Sequence, residues 1–251
     1  MPTTVDIFIP CFVDQLYPAT AMHMVKVLER VGVTVNYNPA QTCCGQPAYN
    51  AGYVAESRAV AEKFLQDFAA PAPTAPPAGP RYIVSPSASC VGMVRNSYSN
   101  LFADTPTLAT CRGVQGRVYE LTEFLVDVLG ISAIPGARLA GKYTYHDSCS
   151  ALRECGIGPA PRLLLDGVAG LERVEIAENT TCCGFGGTFA VKFEAISVAM
   201  AQQKVEHALD TGADYIVSTD VSCLMHLESY IKKEKLPLQC LHIADVLASG
   251  W

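Results

Sequence analysis

The sequence predicts an α/β fold made of two repeated, pseudo-symmetric halves, each built on a parallel sheet. Two observations carry this: the second half restates the first feature by feature, and short apolar runs alternate with helical patterns in both. Arg81-Tyr-Ile-Val-Ser-Pro-Ser-Ala-Ser-Cys90 aligns without a gap to Asp214-Tyr-Ile-Val-Ser-Thr-Asp-Val-Ser-Cys223, and Thr42-Cys-Cys-Gly45 aligns to Thr181-Cys-Cys-Gly184. Cys11 lies 32 positions before Cys43, and Cys149 lies 33 before Cys182. From Cys44 to Cys90 is 46 positions, and from Cys183 to Cys223 it is 40. The ends correspond in pattern too, Tyr119 to Leu129 with Leu241 to Leu247. Four features in the same order indicate a duplication.

Taken in order, Val5 to Pro10 is a short apolar run suited to a buried strand, with Cys11 just past its end. Ala19 to Val31 carries Met22, Val25 and Leu28 at helical spacing and closes at Gly32. A second strand over 33–37 leads into the Cys-Cys-Gly loop, and 54–68 is a second helix. The stretch 70–80, nearly all Pro and Ala, reads as an exposed loop and accounts for the six extra positions of the first spacing. A third strand over 82–85 delivers Cys90. The second half repeats this order with strands near 143–146, 173–176 and 215–218 and a helix over 194–209. The Pro-, Gly- and Ala-containing stretch 131–141 marks the boundary, giving a first cysteine-rich repeat over 1–135 and a second over 136–251. Such alternation implies Rossmann-like sheets, whose ligands sit beyond the carboxyl ends of strands, where the cysteines fall.

With 251 residues, 50% of them hydrophobic and 17% charged, the chain can bury a sizeable core. A net charge of −6 gives no large basic surface for phosphate contacts and argues against nucleic acid or anionic membrane as partner. The N-terminal MPTTVDIFIPCF has no positive flank, and no stretch of about 18 apolar residues follows. Neither export nor a membrane span is expected; a cytoplasmic location is.

The 11 cysteines are an odd number in a chain too long to need disulfide staples, which points to thiol chemistry or metal binding. The adjacent pairs 43/44 and 182/183 bridge each other only with strain. Eight cysteines belong to the repeat and are the candidate metal and cofactor ligands: Cys11, Cys43, Cys44 and Cys90 in one set, Cys149, Cys182, Cys183 and Cys223 in the other. Cys111 and Cys240 have no counterparts and read as small buried hydrophobes. Four thiolates suit either tetrahedral zinc or an iron-sulfur cluster. Structural zinc favours cysteines two to four residues apart, whereas here the closest pair is adjacent and the others lie tens of residues away, which favours a cluster. Gly45 and Gly184 let backbone N–H groups approach sulfur. Cys155 is a candidate extra ligand of the second site. His146 and Asp147 can exchange protons beside a cluster, although a histidine at a strand end is read as structural. Gly184-Phe-Gly-Gly-Thr188 faintly resembles a phosphate-cradling loop; its place directly after Cys-Cys makes a tight turn over a cluster the better reading.

These motifs resemble the cysteine-rich CCG family, which includes the catalytic B subunit of heterodisulfide reductase and the iron-sulfur subunit of glycolate oxidase. The resemblance spans both halves. Gln46-Pro-Ala-Tyr-Asn50, Ser89-Cys-Val-Gly-Met93, Cys182-Cys-Gly-Phe-Gly-Gly-Thr-Phe189 and Cys223-Leu-Met225 are similar to its lactate-utilising members. The resemblance implies a cytoplasmic electron-transfer subunit with two 4Fe-4S clusters, part of a three-protein system that oxidises L-lactate to pyruvate. Its implied partners are a ferredoxin-like iron-sulfur subunit and a further subunit. In the family's fullest pattern each set ends in Cys-x-x-Cys and five thiolates hold a non-cubane four-iron cluster. Here the earlier position is Ser87 in one half and Asp220 in the other. A cubane is therefore equally open, and direct disulfide reduction is in question. Either side chain can offer oxygen, but a helix cap for Ser87 and a water-facing Asp220 are the plainer readings. The chain lacks the ferredoxin run Cys-x2-Cys-x2-Cys-x3-Cys-Pro and shows no flavin or nicotinamide fingerprint. Three classes stay open: a redox subunit of lactate oxidation, a heterodisulfide-reductase-like thiol/disulfide subunit, and a zinc-stabilised interaction protein.

Overall fold

A computed structural model describes residues 3–69 and 81–251; the expected proline-rich loop over 70–80 lies outside the described residues. Strands β1 (Thr4–Ile7), β2 (Thr34–Tyr37), β3 (Tyr82–Ser85) and β4 (Val118–Glu120) form one sheet in the order β2-β1-β3-β4. Strands β5 (Arg138–Tyr145), β6 (Ala169–Arg173), β7 (Tyr215–Ser218) and β8 (Gln239–His242) form another in the order β6-β5-β7-β8. Every pairing is parallel. The expected α/β architecture of two repeated Rossmann-like halves is thus present, with one topology used twice. In each sheet the chain winds away from its first strand in both directions, and this reversal opens a crevice between the first and third strands at their carboxyl ends. The repeat extends to single bonds: Phe8 N–H donates to the Val84 carbonyl and His146 N–H to the Val217 carbonyl, both at 2.9 Å.

Packing follows from the apolar pattern. Helix Val54–Phe68 buries Ser57, Ala61, Phe64, Leu65 and Phe68, and helix Glu194–Asp210 buries Ser197, Ala201, Lys204, Val205 and Ala208 at the same spacing. These helices cover the outer faces of their sheets, over Phe8 and Ile83 in one half and Ile216 in the other. The inner faces merge. Val5, Ile7 and Val84 join Tyr143, Tyr145 and Val217, with helices Pro18–Arg30 and Pro159–Asp166, in one buried cluster that spans both halves.

The structure corrects several expected boundaries. β1 stops at Ile7, not Pro10, and Cys11 opens a short helix, Cys11–Leu16, because Pro10 has no N–H to give the sheet and precedes the helix at φ −67°. β5 begins at Arg138, inside the expected boundary stretch, leaving 131–137 without helix or strand. β6 lies at Ala169–Arg173 where 173–176 was expected. The apolar signal there came from Val174 and Ile176, which leave the strand: Val174 N–H bonds the Tyr143 carbonyl at 2.8 Å and Ile176 is buried in the outer core. β4 (Val-Tyr-Glu) and β8 (Gln-Cys-Leu-His) mix polar with apolar residues, so neither shows the short apolar run that marks β3 and β7. No helix among the described residues is long and apolar enough to cross a membrane.

Candidate metal centres

Each half gathers its four repeated cysteines at its crevice. Cys11 follows β1 at the start of its short helix, Cys43 and Cys44 lie in the loop after β2, and Cys90 sits in the helix Ala88–Gly92 after β3. Cys149, Cys182, Cys183 and Cys223 take the equivalent places after β5, β6 and β7. The sulfurs form a chain: Cys11 Sγ is 3.6 Å from Cys43 Sγ, Cys43 is hydrogen-bonded to Cys44, and Cys44 to Cys90. Cys149, Cys182, Cys183 and Cys223 are linked in the same order. Cys44, Cys90, Cys183 and Cys223 are buried, whereas Cys11, Cys43, Cys149 and Cys182 are half-buried, so each set has a deep pair and a pair facing outward. At the first set the outward pair lines a cleft of about 280 Å³ with Tyr37 and Gln41.

Electrostatics follows from this chain. Hydrogen bonds from Cys11 and Cys44 hold the Cys43 thiol far below its ordinary range, and bonds from Cys149 and Cys183 do the same for Cys182. The donors Cys11 and Cys149 are pushed up correspondingly. The amide N–H groups of Gly45 and Gly184 add to this by donating to Cys43 Sγ and Cys182 Sγ, both at 3.4 Å. Gly45 and Gly184 hold φ of +83° and +93°, which directs those amides at sulfur. Their carbonyls accept from Ser57 Oγ at 3.2 Å and Ser197 Oγ at 2.8 Å, so the outer helix anchors the loop in both halves.

The position three residues before the last cysteine of each set does not fill the helix-cap or water-facing role expected of it. Asp220 does not face water: it is buried between the halves. Its Oδ1 accepts from Ser87 Oγ at 3.1 Å, Ser89 N–H at 3.0 Å and Ser89 Oγ at 2.8 Å, and its Oδ2 accepts from Ser148 Oγ. Ser87 makes no side-chain cap to its helix. The two residues thus bond to each other and join the loop before Cys90 to the loop before Cys149. Phe12 and Phe185, with ring centroids 5.9 Å apart edge to face, add a second link between the sets. Cys155 does not join the second set; its Sγ donates to the Ala88 carbonyl at 3.4 Å, and it packs beside Ala88, Ala151 and Ile157.

His146, read from sequence as structural, lies at the second set. One of its ring nitrogens and the sulfurs of Cys183 and Cys223 lie within 4.8 Å of one another. It is fully buried, and burial followed by repulsion from Lys204 pushes its pKa down to about 3. A signal was available, because the aligned residue of the first half is Phe8. Asp147 is paired rather than free: Arg162 Nη1 and Nη2 donate to its two oxygens at 2.8 and 2.7 Å. The donor chemistry fits a thiolate-bound group at each set: four converging sulfurs, amides aimed at sulfur, and at the second set a buried imidazole whose nitrogens have no partner among the described residues.

Fold and site together define a two-repeat parallel α/β protein with a four-cysteine centre in each repeat. The model of the cysteine-rich CCG domain matches residues 5–95 and again 143–228. Lactate utilization protein A of Exiguobacterium sp. is 41% identical over 247 residues, covering 98% of this chain and 97% of that one. Lactate utilization protein A 1 of Bacillus mycoides is 42% identical over 247 residues, covering 97% and 96%. A hypothetical protein from Helicobacter pylori, known from its crystal structure, superposes with a TM-score of 0.54 at 11% identity; all of this chain is covered but only 49% of that one, so this chain spans about half its length. The chain belongs to the cysteine-rich CCG domain family, in the group of the lactate utilization A proteins.

Proposed function

We propose that this chain is an iron-sulfur electron-transfer subunit of a multi-protein, cytoplasmic system that oxidises L-lactate to pyruvate. The observation that carries the reading is the convergence of four cysteine sulfurs at the same crevice of both repeats, and the name of the relatives, lactate utilization protein A, supports the link to lactate. Cys11, Cys43, Cys44 and Cys90 would hold one 4Fe-4S cluster and Cys149, Cys182, Cys183 and Cys223 a second, one in each of the repeats 1–135 and 136–251. A bound cluster supplies reversible one-electron storage at a potential set by charge, hydrogen bonds to sulfur and solvent exposure.

The chain's own residues tune those conditions. Gly45 and Gly184 donate N–H groups to sulfur, the deep cysteine pairs exclude water, and the outward pairs leave each centre near the surface. That surface is where a ferredoxin-like iron-sulfur subunit and a further subunit would dock. Exposed Val191, Phe193 and Ile196 directly follow the second Cys-Cys-Gly loop and offer an apolar contact there.

Anaerobically purified protein is expected to be brown and to contain iron and acid-labile sulfide at both sets. Cys43→Ser should impair the first centre alone and Cys182→Ser the second alone. A deletion strain with no other lactate dehydrogenase should fail to grow on L-lactate, and either substitution should lower lactate-dependent dye reduction; unimpaired growth would sink the role. The 3.6 Å separation of Cys11 and Cys43 also suits a single tetrahedral zinc. Colourless protein with zinc and no labile sulfide would establish that second reading instead.

A further inference from the structure

The repeats differ most directly behind their cysteines. Phe8 and His146 stand three positions before Cys11 and Cys149, and Phe64 and Lys204 stand seven positions after Ser57 and Ser197. In the first half the two rings stack edge to face, 4.8 Å apart at 90°. In the second half both positions are polar, and both are almost wholly buried. Lys204 is satisfied, its Nζ donating to the carbonyls of Glu178 at 2.8 Å and Asn179 at 3.1 Å. His146 is not satisfied: among the described residues neither Nδ1 nor Nε2 has a hydrogen-bond partner.

The other four histidines are all engaged. His23 bonds Asp245, His207 the Ala177 carbonyl, His226 Ser197, and His242 both the Pro86 carbonyl and the Ala244 N–H. A buried imidazole without a partner is unfavourable unless a bound group takes its lone pair, and the nearest chemistry is the sulfurs of Cys183 and Cys223, within 4.8 Å.

We propose that His146 is a nitrogen donor to the metal of the second centre, beside the thiolates of Cys149, Cys182, Cys183 and Cys223. The two repeats then hold unequal centres, all-thiolate in the first and mixed thiolate and imidazole in the second. This rests on the iron-sulfur reading above. The imidazole joins four thiolates rather than replacing one and brings no charge of its own, while the nearby Lys204 ammonium favours the more negative, reduced state, so the two centres differ in donor set and in surrounding charge.

The test is pulsed electron spin resonance of the intact, anaerobically prepared protein in its paramagnetic state, made once with ordinary histidine and once with histidine labelled with 15N in the ring. The expected result is the strong coupling of a directly bonded nitrogen, converted to the 15N pattern by the label. His146→Phe, which installs the residue of the first half, should abolish that coupling. It should also shift the midpoint potential of one centre in a redox titration and leave the other unchanged. Absence of nitrogen coupling in protein that carries both clusters, a coupling only as weak as a hydrogen-bonded nitrogen gives, or persistence of the signal in H146F overturns the proposal. Should H146F fail to fold, the isotope comparison on the unaltered protein decides alone. Protein without iron and labile sulfide overturns the iron-sulfur reading and this proposal with it, a result that metal analysis separates from the others.

Discussion

At Gly184 there is no room for a side chain: a Cβ would lie 2.6 Å from the Ser197 carbonyl oxygen and 2.9 Å from Met200 Cβ. At Gly45 the nearest atoms to a Cβ are the Ser57 carbonyl and hydroxyl oxygens, both at 3.2 Å. Alanine at either position carries the left-handed backbone cost of roughly 1–2 kcal/mol, and at Gly184 the overlap with backbone adds to it. Gly184→Ala should therefore lose more stability in denaturant titration than Gly45→Ala; equal losses would show that the second loop can yield. Asp220 gives a separate test. Its oxygens are committed to three serines, so Asp220→Ala should cost roughly 1.5–3 kcal/mol while metal and sulfide content stay unchanged. Loss of metal from a folded variant would instead make Asp220 a ligand. The eight cysteines of the two sets were legible because a duplicated motif marks them. The partners of Asp220 were not, since Ser87 stands 133 positions away and no local pattern joins them.

Among the elements, the turn after β4 carries the clearest pH dependence. Glu120 caps the helix Leu121–Glu123: its Oε2 accepts from Thr122 N–H at 2.7 Å and Glu123 N–H at 3.3 Å, and Glu123 Oε2 accepts in return from Glu120 N–H at 3.2 Å. Its Oε1 is buried with no partner among the described residues, and burial pushes the carboxyl up to about 8. Because the folded pKa lies above the ordinary value of 4.5, the fold holds a proton that the unfolded chain releases between those two values. This contribution is fully present below 4.5 and is lost as pH rises through about 8. Glu120→Gln should flatten that decline, as followed by denaturation across the window; an unchanged slope would mean that other groups set it. The long helices 54–68 and 194–210 were readable from their apolar stripe. The short strands β4 and β8 were not, and β6 was placed a few residues late, because tertiary pairing, not alternation, makes them strands.

Over the whole molecule, the inner faces of the two sheets share one core, with Val5 and Ile7 from the first half and Tyr143, Tyr145 and Leu164 from the second. Separating the halves would expose that surface, so the intact chain should unfold in a single calorimetric transition, and fragments 1–135 and 136–251 should aggregate when made apart. Two resolved transitions would show that the repeats are independent. By itself the sequence determined the duplication, the parallel α/β class and the two sets of four cysteines, because residue identity, spacing and apolar period are written in order along the chain. Tertiary structure alone decided that Ser87 meets Asp220, that Phe12 meets Phe185, that Cys155 packs on the first repeat, and that His146 stands unpaired beside Cys183 and Cys223. Those contacts join residues remote in sequence, and only the burial of one repeat's inner face against the other, and the closing of each crevice, brings them together.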